Sequence, residues 1–382
     1  MKFFHLSDLH IGLRLMNRDL MEDQEYILRQ ITEAAGREKP DAIVIAGDIY
    51  DKAIPSAEAV KLFDSFVSGL VEVVPEAEIM MISGNHDSGA RVNTFRSVLE
   101  KQKLHMIGLP PQFPGEQIEK VTMTDEWGRV HFYLLPFVRP SMVRMILGTD
   151  EEGGSLSYND TIHRMIGGEQ IVKEDRNVLV SHQFYLPVGA DPEKVERMDS
   201  EIRTVGNIDE VKADILELFD YAALGHIHKP MKVGSDRYRY CGTPLACSVS
   251  ESGQQKGILM VEMKEKGNVA VQVLPLTPLR QIRIVKGTLE EVLLEAGNDY
   301  TTVILTDRMD LDVFDMQDRI RNAFPNLLEI RREGVQKPEY QRNVTAEEKL
   351  DTFQLCMSFL GEPDEEEQEL LRDVINSVQE VS

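Results

Sequence analysis

Residues 42–51 read AIVIAGDIYD, and this stretch decides the fold. Its first five residues form an apolar run that is too short for a helix and is typical of a strand buried on both faces. Gly47 and Asp48 then turn the chain and place a carboxylate directly after the strand. Helical patterns precede and follow this strand, at 21–35 and 56–72. A strand between helices predicts an α/β sheet with helices layered against it.

Similar short apolar runs recur along the first 275 residues and predict further buried strands. They fall at 3–6, 79–82, 132–135, 178–180, 221–224 and 258–263. Three later strands follow one another closely, at 238–241, 257–263 and 269–274, and we expect them to pair as hairpins. We therefore assign residues 1–275 to one α/β core domain.

The pattern changes at the proline-containing segment 274–278, which predicts a domain boundary. We assign residues 276–340 to a small α+β domain. Thr288 and Glu291 have the spacing of a capping box and mark the start of its first helix. Its strands are predicted at 281–286, 302–306 and 327–332, and its helices at 288–296 and 312–323.

Residues 345–382 predict a helical tail of two amphipathic helices. The first begins at a second capping box, Thr345 with Glu348, and ends at Gly361. The apolar positions are Leu350, Phe353, Met357 and Leu360 in the first helix, and Leu370, Leu371, Val374, Ile375 and Val378 in the second. Two short helices cannot bury both stripes on each other completely, so we expect the tail to dock on a partner helix. A hairpin folded back on its own domain is the alternative.

The composition restricts the class of protein. The chain has 382 residues, of which 42 are basic and 65 acidic, giving a net charge of −23. Its three cysteines lack CxxC spacing, and no apolar stretch approaches the ~18 residues of a membrane span. We therefore expect a cytoplasmic protein without membrane association. The acidity argues against a free-standing binder of nucleic acid, because that affinity comes largely from Lys and Arg.

Metal-ligating side chains follow five of the predicted strands. They are Asp8 and His10, Asp48, Asn85, His182, and His226 with His228. Residues two apart on extended chain point to the same side, and the carboxyl ends of strands in an open α/β sheet converge on one site. Carboxylate, imidazole and amide ligands suit Mn²⁺, Fe²⁺ or Zn²⁺. Each fragment alone also occurs in turns, but seven ligands in this order predict two ions that share a carboxylate.

His86 adjoins this set without being needed as a ligand. It could stabilise the transition state of phosphoester hydrolysis or protonate the leaving oxygen, with a purely structural role as the alternative. We assign ordinary structural roles to His5, His105, His131 and His163.

The ordered motifs MKFFHLSDLHIG, VIAGDIYD, ISGNHDS, SHQF, GHIHKP and YCGTP resemble the calcineurin-like metallophosphoesterases. Within them, the chain is most similar to the nuclease subunits of SbcCD-type double-strand-break repair complexes. The resemblance implies a four-layered α/β/β/α core, with a small capping domain and the helical tail. It implies one metal held by Asp8, His10, Asp48 and His228 and a second by Asp48, Asn85, His182 and His226. His86 would be the catalytic histidine, with Asp51 as its partner at a position where some relatives carry histidine.

The same resemblance implies a nuclease that cleaves DNA with two divalent ions, most simply Mn²⁺. It implies ATP-dependent exonuclease action on double strands and endonuclease action on single strands and hairpins. An SbcC-type ATPase would bind the tail through its coiled coil. A homodimer would form through two apolar helical patterns, Val60, Phe63, Phe66 and Val67, then Phe95, Val98 and Leu99. Basic residues near the third motif could contact DNA, namely Arg91, Arg96, Lys101 and Lys103. A small-molecule phosphodiesterase and a metal-free binding scaffold are the alternatives.

Overall fold

The computed structural model describes residues 1–150, 153–187, 189, 209–307, 313–333, 353–354, 356–357 and 365–379. The described residues up to Ile282 form one compact unit, and those from Arg283 onward belong to a second. None of the described helices is long and apolar enough to cross a bilayer.

The first unit contains two large sheets, two small ones and their helices. Its strands are β1 (Lys2–Leu6), β2 (Arg14–Leu15), β3 (Arg18–Asp19), β4 (Ala42–Ala46), β5 (Glu78–Ile82), β6 (Leu104–Ile107), β7 (Glu119–Asp125), β8 (Gly128–Leu135), β9 (Arg176–Ser181), β10 (Phe184–Leu186), β11 (Glu210–Lys212), β12 (Tyr221–Leu224), β13 (Met231–Val233), β14 (Ser235–Tyr240), β15 (Gly257–Met263) and β16 (Val269–Pro275). Its helices are α1 (Met21–Glu38), α2 (Ala57–Val73), α3 (Gly89–Val92), α4 (Arg96–Leu99), α5 (Pro140–Leu147) and α6 (Tyr158–Gly167).

Each large sheet has six strands. The first has the order β16-β15-β1-β4-β5-β6 and the second the order β13-β14-β12-β9-β8-β7. Strands β1, β4, β5 and β6 are parallel to one another, as are β8, β9, β12 and β14. The expected series of hairpins is wrong at its first member. Strands β15 and β16 pair antiparallel, as expected. Strand β14 instead runs parallel to β12 in the other sheet, where Tyr238 and Tyr240 join its core.

The two sheets face each other across a shared apolar core. Phe3 of the first sheet meets Phe132 of the second edge to face, with ring centroids 5.3 Å apart. Residues that point to the other face of the first sheet, such as Ile43, are also fully buried, and α1 and α2 pack against each other. Ile162 of α6 packs in the core on the outer face of the second sheet. The expected four-layered α/β/β/α architecture is therefore confirmed.

The second unit has its own small core. It comprises β17 (Ile282–Gly287), α7 (Leu289–Leu294), β18 (Tyr300–Leu305), α8 (Val313–Ala323), β19 (Leu327–Arg332) and α9 (Glu365–Gln379). The sheet has the order β17-β18-β19, and Val285, Val303 and Ile320 are among its buried residues. Thr288 and Glu291 form the expected capping box at α7.

Helix α9 lies where the second tail helix is predicted. Residues 353–354 and 356–357 are helical, as expected for the first. The capping residues Thr345 and Glu348, with Leu350 and Leu360, lie outside the described residues.

Candidate metal centre

All seven predicted ligands lie at the carboxyl ends of parallel strands. Asp8 and His10 follow β1, Asp48 follows β4, Asn85 follows β5, His182 follows β9, and His226 and His228 follow β12. Six of them are more than nine-tenths buried, whereas Asn85 is partly exposed. The two sheets thus bring residues more than 200 positions apart in sequence into one cluster.

Asp48 links the two halves of the cluster. Its Oδ2 lies 3.2 Å from Nε2 of His182 and 3.7 Å from Nε2 of His10. Among the described residues, four groups of three donor atoms lie within metal-binding reach of each other. Two consist of predicted ligands alone, Asp8 with His10 and His228, and Asp8 with Asp48 and His182, whereas the other two are His10 with Asp48 and His86, and His228 with Cys247 and Glu251. The arrangement offers two adjacent cation positions.

Asn85 extends the second position. Its Oδ1 lies 3.1 Å from Nε2 of His182 and 3.0 Å from Nδ1 of His226. All four groups that the resemblance assigns to the second metal, including Asp48, are therefore in contact.

The chemistry of these donors fits divalent cations. Asp8 and Asp48 are buried carboxylates, and the groups that face them in the cluster are imidazoles. Nε2 of His10 lies 3.1 Å from Nε2 of His228, so two lone pairs face each other unless a proton or cation lies between them. Buried charges in proteins are paired or coordinate metals. Oxygen and imidazole ligands without thiolate suit Mn²⁺, Fe²⁺ or Zn²⁺.

Each ligand imidazole directs its other ring nitrogen to an oxygen. These pairs are His182 Nδ1 with the carbonyl of Ala46 (2.7 Å), His226 Nε2 with Asp209 (4.0 Å), His228 Nδ1 with Glu251 (3.9 Å) and His10 Nδ1 with Asp51 (3.8 Å). The Ala46 carbonyl fixes the His182 ring by a hydrogen bond. The three carboxylates lie beyond hydrogen-bond distance, and their charge favours a proton on the ring nitrogen that faces them, which leaves the inward nitrogen available to a metal.

The electrostatics of the cluster are strongly coupled. Burial lowers the pKa of His182, but the carboxylates of Asp48 and Asp8 outweigh it and raise that pKa to about 9. Burial raises the pKa of Asp48, yet His182 and His86 hold it well below its usual range. Burial keeps the pKa of His10 well below its usual value. The metal-free cluster thus combines a carboxylate anion with a protonated imidazole, and metal binding at His182 must release that proton.

The backbone around the ligands is strained. The φ angles of Asp8, His10, Asp48 and His226 are 53°, 42°, 50° and 102°. Non-glycine residues in this region cost about 1–3 kcal/mol each and cluster at functional sites. Buried Gln24 of α1 supports the first loop by donating to the carbonyl of His10 (2.7 Å).

His86 lies beside the cluster. Its backbone N–H donates to Oδ1 of Asp48 (2.9 Å), and its ring Nδ1 donates to the backbone carbonyl of Asp51 (2.9 Å). The ring lies 4.8 Å from that of His10. Asp51 therefore contacts His86 through its carbonyl, while its carboxylate faces His10.

Sequence reasoning missed several supporting residues. Asp87, within the GNHD motif, accepts hydrogen bonds from the backbone N–H groups of Ile49, Tyr50 and Gly84 and so ties two ligand loops together. Burial raises the pKa of Asp87 to about 6. Asp209, Glu251 and Gln24 follow no recognisable spacing relative to the ligands.

The other four histidines have partners outside the cluster. His5 bonds to Tyr221 and the Leu224 carbonyl, His105 to Glu78, His131 to Asp175, and His163 to Asp214. Their contacts agree with the structural roles expected for them.

Comparison with known proteins identifies the family. The family described as "Calcineurin-like phosphoesterase" matches residues 1–230, and the "Type 5 capsule protein repressor C-terminal domain" matches residues 277–359. The SbcD subunit of nuclease SbcCD from Staphylococcus epidermidis (strain ATCC 12228 / FDA PCI 1200) is 31% identical over 335 residues, covering 86% of this chain and 84% of that protein. The chain belongs to the SbcD family of calcineurin-like phosphoesterases.

Two solved structures share 12% sequence identity with this family member. A dimetal phosphatase from Danio rerio has a TM-score of 0.38 and covers 73% of this chain and 98% of its own. GAP50, the anchor in the inner membrane complex of Plasmodium, has a TM-score of 0.39 and covers 86% and 96%.

Proposed function

We propose that this chain is the DNA nuclease subunit of an SbcCD-type complex and hydrolyses phosphodiester bonds with two Mn²⁺ ions. The observation that carries the proposal is the Asp48 carboxylate, which lies within 4 Å of both His182 and His10 in a member of the SbcD family. The activity is ATP-dependent exonuclease action on duplex DNA, with endonuclease action on single strands and hairpins. It serves DNA repair, recombination and replication.

In this proposal, one ion is held by Asp8, His10, Asp48 and His228, and the other by Asp48, Asn85, His182 and His226. When bound, two such ions activate a water molecule for in-line attack and neutralise charge on the phosphate oxygens. The chain supplies placement, because His182 is held by a hydrogen bond to the Ala46 carbonyl and the other three imidazoles each face a carboxylate.

His86 is the catalytic residue in this proposal. Its Nδ1 is occupied by the carbonyl of Asp51, so Nε2 is the atom that holds or delivers a proton. A positioned imidazole of this kind can stabilise negative charge or protonate the leaving oxygen. The Asp51 carboxylate has a separate task, to orient His10.

The charge distribution supports DNA binding that is divided between this chain and its ATPase partner. Two of the basic residues expected to contact DNA are paired with acids, namely Arg96 with Glu119 and Lys103 with Glu76. Arg91 and Lys101 are exposed. Because acids already neutralise two of these cations, we assign most of the duplex affinity to the ATPase partner.

The tail offers the surface for that partner. Leu370 and Val374 of α9 are 65% and 50% exposed. On another side, the guanidinium of Arg372 lies 4.7 Å from the ring centre of Phe353. The tail therefore has both a contact of its own and an exposed apolar stripe, which suits docking on an SbcC-type coiled coil.

The expected dimer surface divides into two parts. Phe63, Phe66 and Val67 are buried and pack in the core. The prediction that these three residues form part of a dimer surface is therefore wrong. Val60 of the first pattern is 45% exposed, and in the second pattern Phe95 and Val98 are 73% and 59% exposed. We propose that Phe95 and Val98 form the homodimer contact, with a monomeric mass at micromolar concentration as the result that would contradict it.

We also propose that the protein acts in the cytoplasm. Cys241 and Cys247 are buried free thiols, and Cys356 is also free, as suits a reducing compartment.

The deciding experiment uses the purified chain with and without its ATPase partner. Labelled duplex, hairpin and single-stranded DNA are incubated with Mn²⁺ or Mg²⁺, with and without ATP. We expect Mn²⁺-dependent cleavage of single strands by the chain alone and ATP-stimulated cutting of duplex ends by the complex. Hydrolysis of small phosphodiesters with no cleavage of any DNA would contradict the proposed substrate.

A further inference from the structure

A buried carboxylate that the proposed reaction does not use lies behind His228. Glu251 is 1% exposed and its Oε1 lies 3.9 Å from Nδ1 of His228. This is the ring nitrogen opposite to Nε2, which faces His10. Glu251 also accepts hydrogen bonds from Cys247 N (3.1 Å), Ser248 Oγ (3.0 Å) and Thr243 Oγ1 (3.1 Å).

Lys256 is the counter-ion of this carboxylate. Its Nζ lies 2.5 Å from Oε2 of Glu251 and also donates to the backbone carbonyl of His228 (3.2 Å). Its side chain is 5% exposed. The ion pair therefore contacts His228 at two points, the ring and the main chain.

Buried ion pairs are weak stabilisers, because the cost of removing both charges from water offsets much of their attraction. Replacing such a pair with apolar side chains is often neutral for stability. A pair aimed at a ligand imidazole has a further use, because a carboxylate behind the ring fixes its tautomer and raises its basicity toward the metal.

We propose that Glu251, balanced by Lys256, is a positioning residue for the ion at Asp8, His10 and His228. The carboxylate lies 3.9 Å from Nδ1 of His228, where its charge favours the proton on that nitrogen and so leaves Nε2 unprotonated and directed at that ion. The proposal rests on the two-metal function above and adds a residue that increases metal affinity at one of the two positions.

The charge state of Glu251 agrees with this role. Its buried counter-ion Lys256 lies 2.5 Å from Oε2, and three further donors, Cys247 N, Ser248 Oγ and Thr243 Oγ1, bond to the carboxylate. The carboxylate is therefore an anion at neutral pH, despite its burial. Most of its remaining hydrogen-bonding capacity is taken up within its own loop, so it has little freedom to move away from His228.

The test is the affinity of the metal-free protein for Mn²⁺, measured by calorimetry, together with the electron paramagnetic resonance of the loaded protein. In Glu251→Gln, we expect one of the two binding steps to weaken ~10–100-fold and the other to stay unchanged. The spectrum should change from spin-coupled Mn²⁺ pairs to isolated ions. Asp220→Asn is the matched control, since Asp220 is buried and paired with Lys266 elsewhere in the unit.

A second variant guards against misfolding caused by an unpaired lysine. Glu251→Gln combined with Lys256→Met removes both charges and should show the same selective loss. Wild-type affinity at both steps, or equal weakening of both, would overturn the positioning role. If instead the wild-type protein binds fewer than two ions, the proposed two-metal function itself fails.

Discussion

Asp48 Oδ2 lies 3.2 Å from Nε2 of His182, and this contact joins the two sheets of the core. Asp48 follows β4 of the first sheet and His182 follows β9 of the second. Neither sheet alone carries enough donors for two ions. The centre therefore depends on how the sheets pack, and changes that move one ligand loop should remove metal before they unfold the protein.

The close approach at Gly47 provides such a change. A Cβ there would lie 2.3 Å from Nδ1 of His182. We expect Gly47→Ala to break the hydrogen bond from His182 Nδ1 to the Ala46 carbonyl, weaken the binding of at least one ion and reduce turnover ~10–100-fold. Metal content and kcat measure the effect. Gly267→Ala is the control, because Gly267 has a similar positive φ but open space around it. Equal behaviour of both variants would contradict the expectation.

His86 should separate catalysis from metal binding. We expect His86→Asn to keep both ions and DNA affinity while kcat falls by ~10²–10⁴, because a proton donor or charge stabiliser is lost. Metal analysis and single-turnover cleavage measure the two properties. His105→Asn, far from the cluster and paired with Glu78, should leave both unchanged. Loss of metal in His86→Asn would make His86 a ligand instead.

The dependence of the unfolding free energy on acidic pH should show whether Glu251 is ionised in the folded protein. Its pKa falls from an ordinary 4.5 to about 2 in the folded protein, so its contribution is complete above pH 4.5 and is lost as the pH falls toward 2. The difference corresponds to about 3 kcal/mol of unfolding free energy. Urea unfolding of metal-free protein between pH 6 and 2 should therefore show a steeper loss than in Glu251→Gln/Lys256→Met. Parallel curves would exclude an ionised Glu251.

The exposed tail stripe should carry partner binding. We expect Val374→Asp to abolish co-purification with the ATPase, because an unpaired carboxylate buried in an apolar interface costs several kcal/mol. Metal-dependent cleavage of single-stranded DNA should remain, and so should cleavage after truncation at Asn343. Asp373→Ser changes an exposed neighbour on the same helix and should bind normally. Undiminished binding by Val374→Asp and by the truncated chain would show that the tail folds on its own domain.

Sequence alone predicts the central strands of both large sheets and the position of every predicted ligand relative to them, but not the edge strands β6, β7 and β13 or the short strands β2, β3, β10 and β11. The reason is physical: β4 is a continuous apolar run, and Asp48 ends it where parallel strands must expose their loops. The end of the sheet at which these side chains meet then follows from the direction of the parallel strands.

Contacts that depend on packing are not predictable in this way. Glu251 meets His228 only because the loop after β14 folds back, and no spacing rule links these positions. The assignment of β14 to a hairpin with β15 is wrong because local pattern does not tell which sheet a strand joins. Phe63 shows the same limit, since an apolar helix face suits a core and an interface equally well.

Anomalous X-ray diffraction from Mn²⁺-loaded crystals, at the manganese absorption edge, tests the two-metal centre most directly. We expect two peaks, one on either side of Asp48. One should lie against His10 and His228, and the other against His182 and His226. In Asp48→Asn both peaks should weaken, and hydrolysis should be lost. A single peak in the native protein, or two peaks of full height with normal turnover in Asp48→Asn, would contradict the two-metal centre.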